Sequence, residues 1–155
     1  MLSSCSVIAA PFEVKKEAKL SMTSEKDDIC FGADISYYPD GTVIMNFTEP
    51  ADLKGLTINA DHTGFNIDAY GIKDTLTYDE LTNAAFLNIL VKSIQNAVFS
   101  DNSDFEKSGN KDMRTLNLDI SGIPVTTIFY EEGFIKEIKA DAVGFDAFFS
   151  LKADG

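Results

Sequence analysis

Apolar and polar residues alternate along most of this chain. Ile29, Phe31, Ala33, Ile35 and Tyr37 share one parity, and Cys30, Gly32, Asp34, Ser36 and Tyr38 the other. Successive side chains of a strand point to opposite faces, so a period of two predicts a strand with one buried face. Pro39-Asp40-Gly41 then predicts a hairpin, because Pro presets φ and Gly accepts a positive φ. Val43, Met45 and Phe47 carry the inward face back, and Pro50, with no N–H to give a ladder, ends that strand. A more polar strand over 14–23, carrying Lys15, Lys16 and Lys19, precedes this pair, with a charged turn at 24–28. Downstream, a strand over 56–60 turns through Asp61-His62-Thr63-Gly64 into 65–69, and Tyr70-Gly71-Ile72 reads as a brief continuation.

The period changes from Thr77 to about Phe99, where a helix is predicted. Thr77 and Glu80 have the spacing of a capping box, and Leu76 and Leu81 that of a hydrophobic staple. At ~100° per residue, Ala84, Phe86, Leu87, Leu90, Val91, Ile94, Ala97 and Val98 cover an arc of about 160°, with Ala85 and Ile89 adding apolar area opposite. Such a helix either packs into a concave sheet or lines an apolar cavity.

Alternation resumes after a polar break at 100–103, with Phe105 opening a short strand. Leu116, Leu118 and Ile120 share a face, then Val125, Thr127 and Phe129. Glu131-Glu132-Gly133 predicts a hairpin turn, and strands over 134–140 and 143–152 finish the chain. There is no strand-helix-strand rhythm. The fold class expected is therefore mainly β (α+β): a curved antiparallel sheet of about ten strands forming an unclosed barrel, with one long helix inserted on its concave side. Residues 13–153 make one domain, with 1–12 as a tether.

Composition narrows the class. The 155 residues are 45% hydrophobic with twelve Phe, ample for a core. Net charge is −12, from 13 basic and 25 acidic residues, which repels nucleic acid and disfavours electrostatic docking on anionic lipid. No apolar run reaches eighteen residues. Two cysteines do not make a disulfide scaffold, though a Cys5–Cys30 bridge is one pairing; otherwise Cys30 is expected as a buried or half-buried thiol within its strand. His62, the single histidine, sits at a hairpin tip with no second ligand or nucleophile placed beside it, so no metal or cofactor is expected.

Catalysis finds no constellation. Glu131 and Glu132 are adjacent in a turn and point apart, unlike an acid–base pair. The stretch from Asp101 to Glu106, DNSDFE, lacks the central Gly and terminal Glu of a calcium loop. There is no phosphate-cradling Gly-rich loop and no Gly-x-Ser-x-Gly elbow. The chain is expected not to be an enzyme.

Two stretches carry a resemblance. Leu2-Ser3-Ser4-Cys5 resembles the lipobox of bacterial lipoproteins, whose cysteine sulfur takes diacylglycerol and becomes the first mature residue. It implies that Cys5 is the lipid attachment point, that the membrane is a partner through it, and that the protein is extracytoplasmic. The charged and apolar parts of the signal would then precede Met1. A looser secretory cleavage site after Val7-Ile8-Ala9 is the alternative. The run from Val43 to Ile58, VIMNFTEPADLKGLTI, together with the order of strands, helix and strands, resembles small Clostridia-type lipoproteins related to the lipoprotein-carrier (LolA/LolB-like) fold.

That resemblance implies a half-barrel whose hydrophobic concavity holds an acyl chain or another apolar ligand. Its lining candidates are Phe31, Phe47, Phe65, Phe129, Phe145 and Phe149 on strands, and Phe86, Leu90 and Ile94 on the helix. Arg114, the one arginine, is the residue of that type available for a polar contact at the mouth. The competing expectation is a non-catalytic envelope interaction module in which the same rings form a solid core, with edges or loops binding a protein.

Overall fold

The computed structural model describes residues 12–26, 29–77, 85–101, 104–107 and 113–152. Six strands come first: β1 (Ala18–Lys26), β2 (Ile29–Tyr37), β3 (Val43–Glu49), β4 (Leu56–Ala60), β5 (Gly64–Ala69) and β6 (Ile72–Thr77). One helix, α1 (Ala85–Phe99), separates them from β7 (Glu106–Lys107), β8 (Arg114–Ile120), β9 (Ile123–Phe129), β10 (Ile135–Ala140) and β11 (Phe145–Leu151). All eleven strands form one sheet in the order β6-β5-β4-β3-β2-β1-β11-β10-β9-β8-β7. Every neighbouring pair is antiparallel. Two meanders therefore meet at a single seam, β1 beside β11, and among the described residues β6 and β7 are the two edges. The sheet does not close.

Alternation explains which face turns in. Along the seam Leu20, Met22 and Ser24 pair with Leu151, Phe149 and Ala147. Apart from Leu151, which is exposed, these residues are buried. Their outward neighbours Lys19, Thr23 and Ser150 are exposed or half-buried. The first strand begins later than the polar pattern suggests and runs on through Ser24, Glu25 and Lys26, where a turn is expected. Glu25 pairs with Cys30 and Lys26 with Ile29, and buried Ser24 keeps the inward parity, so the turn falls at 27–28, outside the described residues. The brief continuation expected at Tyr70-Gly71-Ile72 is instead a turn followed by a full strand, β6, in register with β5. At the end of the chain, Asp141–Val143 makes a 3-10 turn before β11 begins at Phe145.

The hollow of the sheet holds α1. The helix packs against β3 of the first meander and β8, β9 and β10 of the second, so the sheet bends round it. Ile89, Leu90, Val91 and Ile94 project over about 200° of the helix circumference at ~100° per residue, and each is at most 1% exposed. The wide apolar arc in the sequence is thus a helix enclosed on more than one side. Full burial of each such side chain contributes about 1.5–3 kcal/mol, which makes this enclosure a main source of stability. Thr77 ends β6 opposite Gly64. Its expected capping partner Glu80, and Leu81 of the staple, lie outside the described residues, as do Cys5 and all of the expected tether but Phe12.

Candidate functional site

The hollow and its two ends are where the sequence candidates converge. Phe47, Phe65, Phe129, Phe145 and Phe149 project inward from β3, β5, β9 and β11 and are buried, as are Leu90 and Ile94 on α1. Phe31 and Phe86 are different: both are half-buried, and their rings stack 5.4 Å apart with an interplanar angle of 7°. Phe86 also leans on Phe145 at 6.5 Å. This pair brings β2 and the beginning of α1 together.

Not all the inner surface is apolar. Tyr37 on β2, Ser93 on α1 and Thr127 on β9 are buried, and their hydroxyls have no hydrogen-bond partner among the described residues. Burial pushes the Tyr37 phenol far above its ordinary value, so it stays protonated and able to donate. An unsatisfied buried hydroxyl costs about 1–3 kcal/mol. Alternation placed Thr127 on the inward face from sequence. Tyr37 was legible in the same way, but Ser93 was not, because it interrupts an apolar helix face without changing its period.

The far end of α1 is held by polar contacts. Lys16 Nζ donates to the Val98 carbonyl at 2.9 Å, where unpaired helix carbonyls and the helix dipole favour a cation. Gln95, buried in the helix, donates through Nε2 to the carbonyls of Gly41 at 3.0 Å and Asp61 at 3.2 Å, tying two hairpin turns to it. Gly41 has φ +88° and lies so close to the Phe99 ring that a Cβ there would stand 2.8 Å from Cζ, which leaves Gly as the residue for this turn. Asp61 organises the neighbouring turn by accepting from Thr63 N at 2.7 Å and Gly64 N at 3.2 Å, and the Thr63 bonds hold its carboxyl below the usual range.

His62 lies at that tip, exposed, beside a cleft of about 240 Å³ that Asp40, Lys92, Asn96 and Phe99 also line. No group of three His, Cys, Asp or Glu side chains able to hold a metal occurs among the described residues. Cys30 is a free thiol and is exposed, not buried: its parity puts it on the outer face of β2, with Sγ 3.9 Å from Glu25 Oε1. No helix among the described residues is long and apolar enough to cross a membrane.

Phe12, Phe105 and Phe129 form an aromatic cluster. Phe105 and Phe129 meet edge to face at 5.0 Å, and Phe12 closes on both, at 5.4 and 6.0 Å. The Arg114 guanidinium lies over the Phe12 ring, 5.4 Å from its centroid.

No protein-family model and no curated protein matches the chain. Among solved structures it is similar to a LolA superfamily protein from Nitrosomonas europaea, at 10% identity and a TM-score of 0.38, over 90% of this chain and 86% of that one. It is also similar to a DUF1329 family protein from Desulfovibrio piger, at 8% identity and the same TM-score of 0.38, over 90% of this chain and 85% of that one. Likenesses at this level transfer no activity.

Proposed function

We propose that this protein is a non-catalytic, extracytoplasmic lipoprotein whose half-barrel takes an apolar ligand or acyl chain, with the membrane as its partner through a lipid on Cys5. The observation that carries the ligand reading is the chemistry of the hollow. Its walls are phenylalanine and aliphatic side chains, yet Tyr37, Ser93 and Thr127 keep buried hydroxyls without partners among the described residues. A core selected for stability alone would replace such groups, since the penalty of each is comparable to a large share of net stability. Sites for small molecules have this composition: mostly apolar, with a few polar atoms that orient the ligand. The half-exposed Phe31–Phe86 stack supplies a way in. Each Å² of acyl surface taken from water contributes ~25 cal/mol, so one chain offers several kcal/mol before ordering costs are subtracted.

Native mass spectrometry of protein purified from a bacterial host is expected to show a bound apolar molecule, and a fluorescent fatty acid is expected to bind and be displaced. A clean apo mass with no probe binding would sink the ligand reading. The tether is tested separately. With a lipoprotein signal placed ahead of Met1, acyl label is expected to depend on Cys5, and label retained in Cys5→Ala would refute it.

A second reading has its own support. Leu90, Ile94 and the inward rings of Phe65, Phe129 and Phe145 are at most 1% exposed, as in a solid core. On that reading the barrel is an envelope interaction module that binds protein through its edges, and the apo mass is its signature.

A further inference from the structure

We infer that Phe12 is a self-ligand: its ring occupies a cage formed by Phe105, Phe129 and Arg114 that accepts the apolar end of an anionic amphiphile when the N-terminal strap lifts. This deepens the proposed ligand-binding function by naming a subsite, a ligand class and the segment that competes for it. The ligand class is an alkyl or aryl group about the size of a Phe side chain or a short methylene run, carrying a carboxylate or phosphate head.

The two rings under Phe12 are core residues. Phe129 is 0% exposed and Phe105 8%, and their edge-to-face packing belongs to the core. Phe12 enters from outside the sheet. Residues 12–17 belong to no strand, and the ring packs edge-on against both core rings at 66° and 70°. The strap that delivers it is held by Lys15 N donating to the Gly133 carbonyl at 2.9 Å, by Lys16 Nζ on the Val98 carbonyl and by the buried Val14 side chain. An aromatic ring tethered by a strandless segment is the kind of group that another apolar group can replace.

Arg114 supplies the head-group chemistry. The chain has 25 carboxylates and one arginine, yet no ion pair of Arg114 with a described residue is formed. Arg114 is half-buried, and its guanidinium lies over the Phe12 ring instead. A guanidinium offers five donors in a planar fork that fits carboxylate or phosphate, so a cation–π contact leaves most of that capacity unused. A ligand with its apolar end in the cage would present its head group there.

Decanoate, methyl decanoate and decyl phosphate are compared as competitors of a fluorescent fatty acid on the full chain. Phe12→Ala empties the cage. Gly133→Ala lifts the strap with the cage intact, because Gly133 has φ +95° and a Cβ there would stand 2.0 Å from the Glu13 carbonyl oxygen. A strap closed nine-tenths of the time weakens apparent affinity about tenfold, so either variant is expected to bind decanoate about tenfold tighter than the parent chain. Decanoate and decyl phosphate are expected to outcompete the methyl ester, and their relative strengths separate a free carboxylate from a phospholipid-type head. Arg114→Gln, with the strap in place, is expected to abolish the preference for acid over ester.

If folded Phe12→Ala and Gly133→Ala bind no tighter than the parent, the self-ligand inference is overturned while parent binding keeps the hollow as a site. Equal competition by acid and ester, or a preference unchanged in Arg114→Gln, overturns the anionic ligand class; this arm decides even where the strap variants lose their fold. Absence of probe binding in every form sinks the ligand-binding function itself.

Discussion

At the scale of single residues, Asp146 makes a prediction about pH. It lies on the outer face of β11, across from Lys139 on β10 and Glu25 on β1. Its carboxyl is pushed up to about 7 from an ordinary 3.8, first by burial and then by a hydrogen bond and charge from Glu137, against the pull of Lys139. The folded protein therefore keeps a proton that the unfolded chain releases near 3.8. Stability contributed by this group is fully present below about 4, declines as pH rises toward about 7, and is flat above that. Asp146→Asn fixes the neutral state. It is expected to match the parent in urea unfolding at pH 4 and to exceed it at pH 8 by about 1 kcal/mol, a figure reduced for solvent screening at a partly exposed site. Equal midpoints at pH 8 would show that Asp146 and Glu137 do not share a proton.

At the scale of elements, α1 is fixed as much by Gln95 as by its apolar face. Gln95→Leu keeps volume and apolarity but leaves the Gly41 and Asp61 carbonyls without this donor, so a loss of about 1–3 kcal/mol in urea unfolding is expected. Lys16→Met, on the exposed side of the same helix end, is expected to cost no more than about 0.5–1 kcal/mol and less at high salt. A larger effect of Lys16→Met than of Gln95→Leu would reverse this ranking of the two anchors. The elements also show why parts of this fold were legible in sequence. Alternation reports which face of a strand is buried, so β2, β3, β8 and β9 were readable almost to the residue. It reports nothing about length where both faces of an edge strand are wet: β6 has Ile72 at 75% exposure and Lys73, Asp74 and Thr75 all exposed, and no buried parity marked it. Cys30 is the reverse case: its small apolar side chain suggests burial, but its parity is outward and the thiol is exposed. Gln95 was invisible as an anchor because its partners are turns distant in sequence, 54 residues away for Gly41. Arg114 stood out as the one arginine, but nothing in the pattern paired it with Phe12, which lies far from it in the chain.

At the scale of the whole molecule, two meanders share one seam and one helix, and that arrangement dictates how the protein unfolds. Each meander alone would expose its inward face, because the residues covering it belong to α1 and to the other meander. Phe149 stands on the seam: it pairs with Met22 across β1, is buried, and its carbonyl accepts from the Tyr130 hydroxyl at 3.0 Å. Tyrosine fluorescence reports on both meanders together, through Tyr37 and Tyr130 among the five tyrosines, and no Trp obscures it. Urea unfolding is expected to be a single transition, with tyrosine fluorescence and far-ultraviolet circular dichroism coincident, as for a two-state domain of this size. Phe149→Ala removes a core ring at the junction and is expected to cost about 3–5 kcal/mol while moving both signals together. If the two signals separate in the parent or in Phe149→Ala, unfolding is not two-state, and the shared seam and helix do not make the sheet one cooperative unit. A coupled hollow is the arrangement a ligand can stabilise as a whole: at a hundred times its Kd, an apolar ligand would raise the single midpoint by about 2.7 kcal/mol of stability.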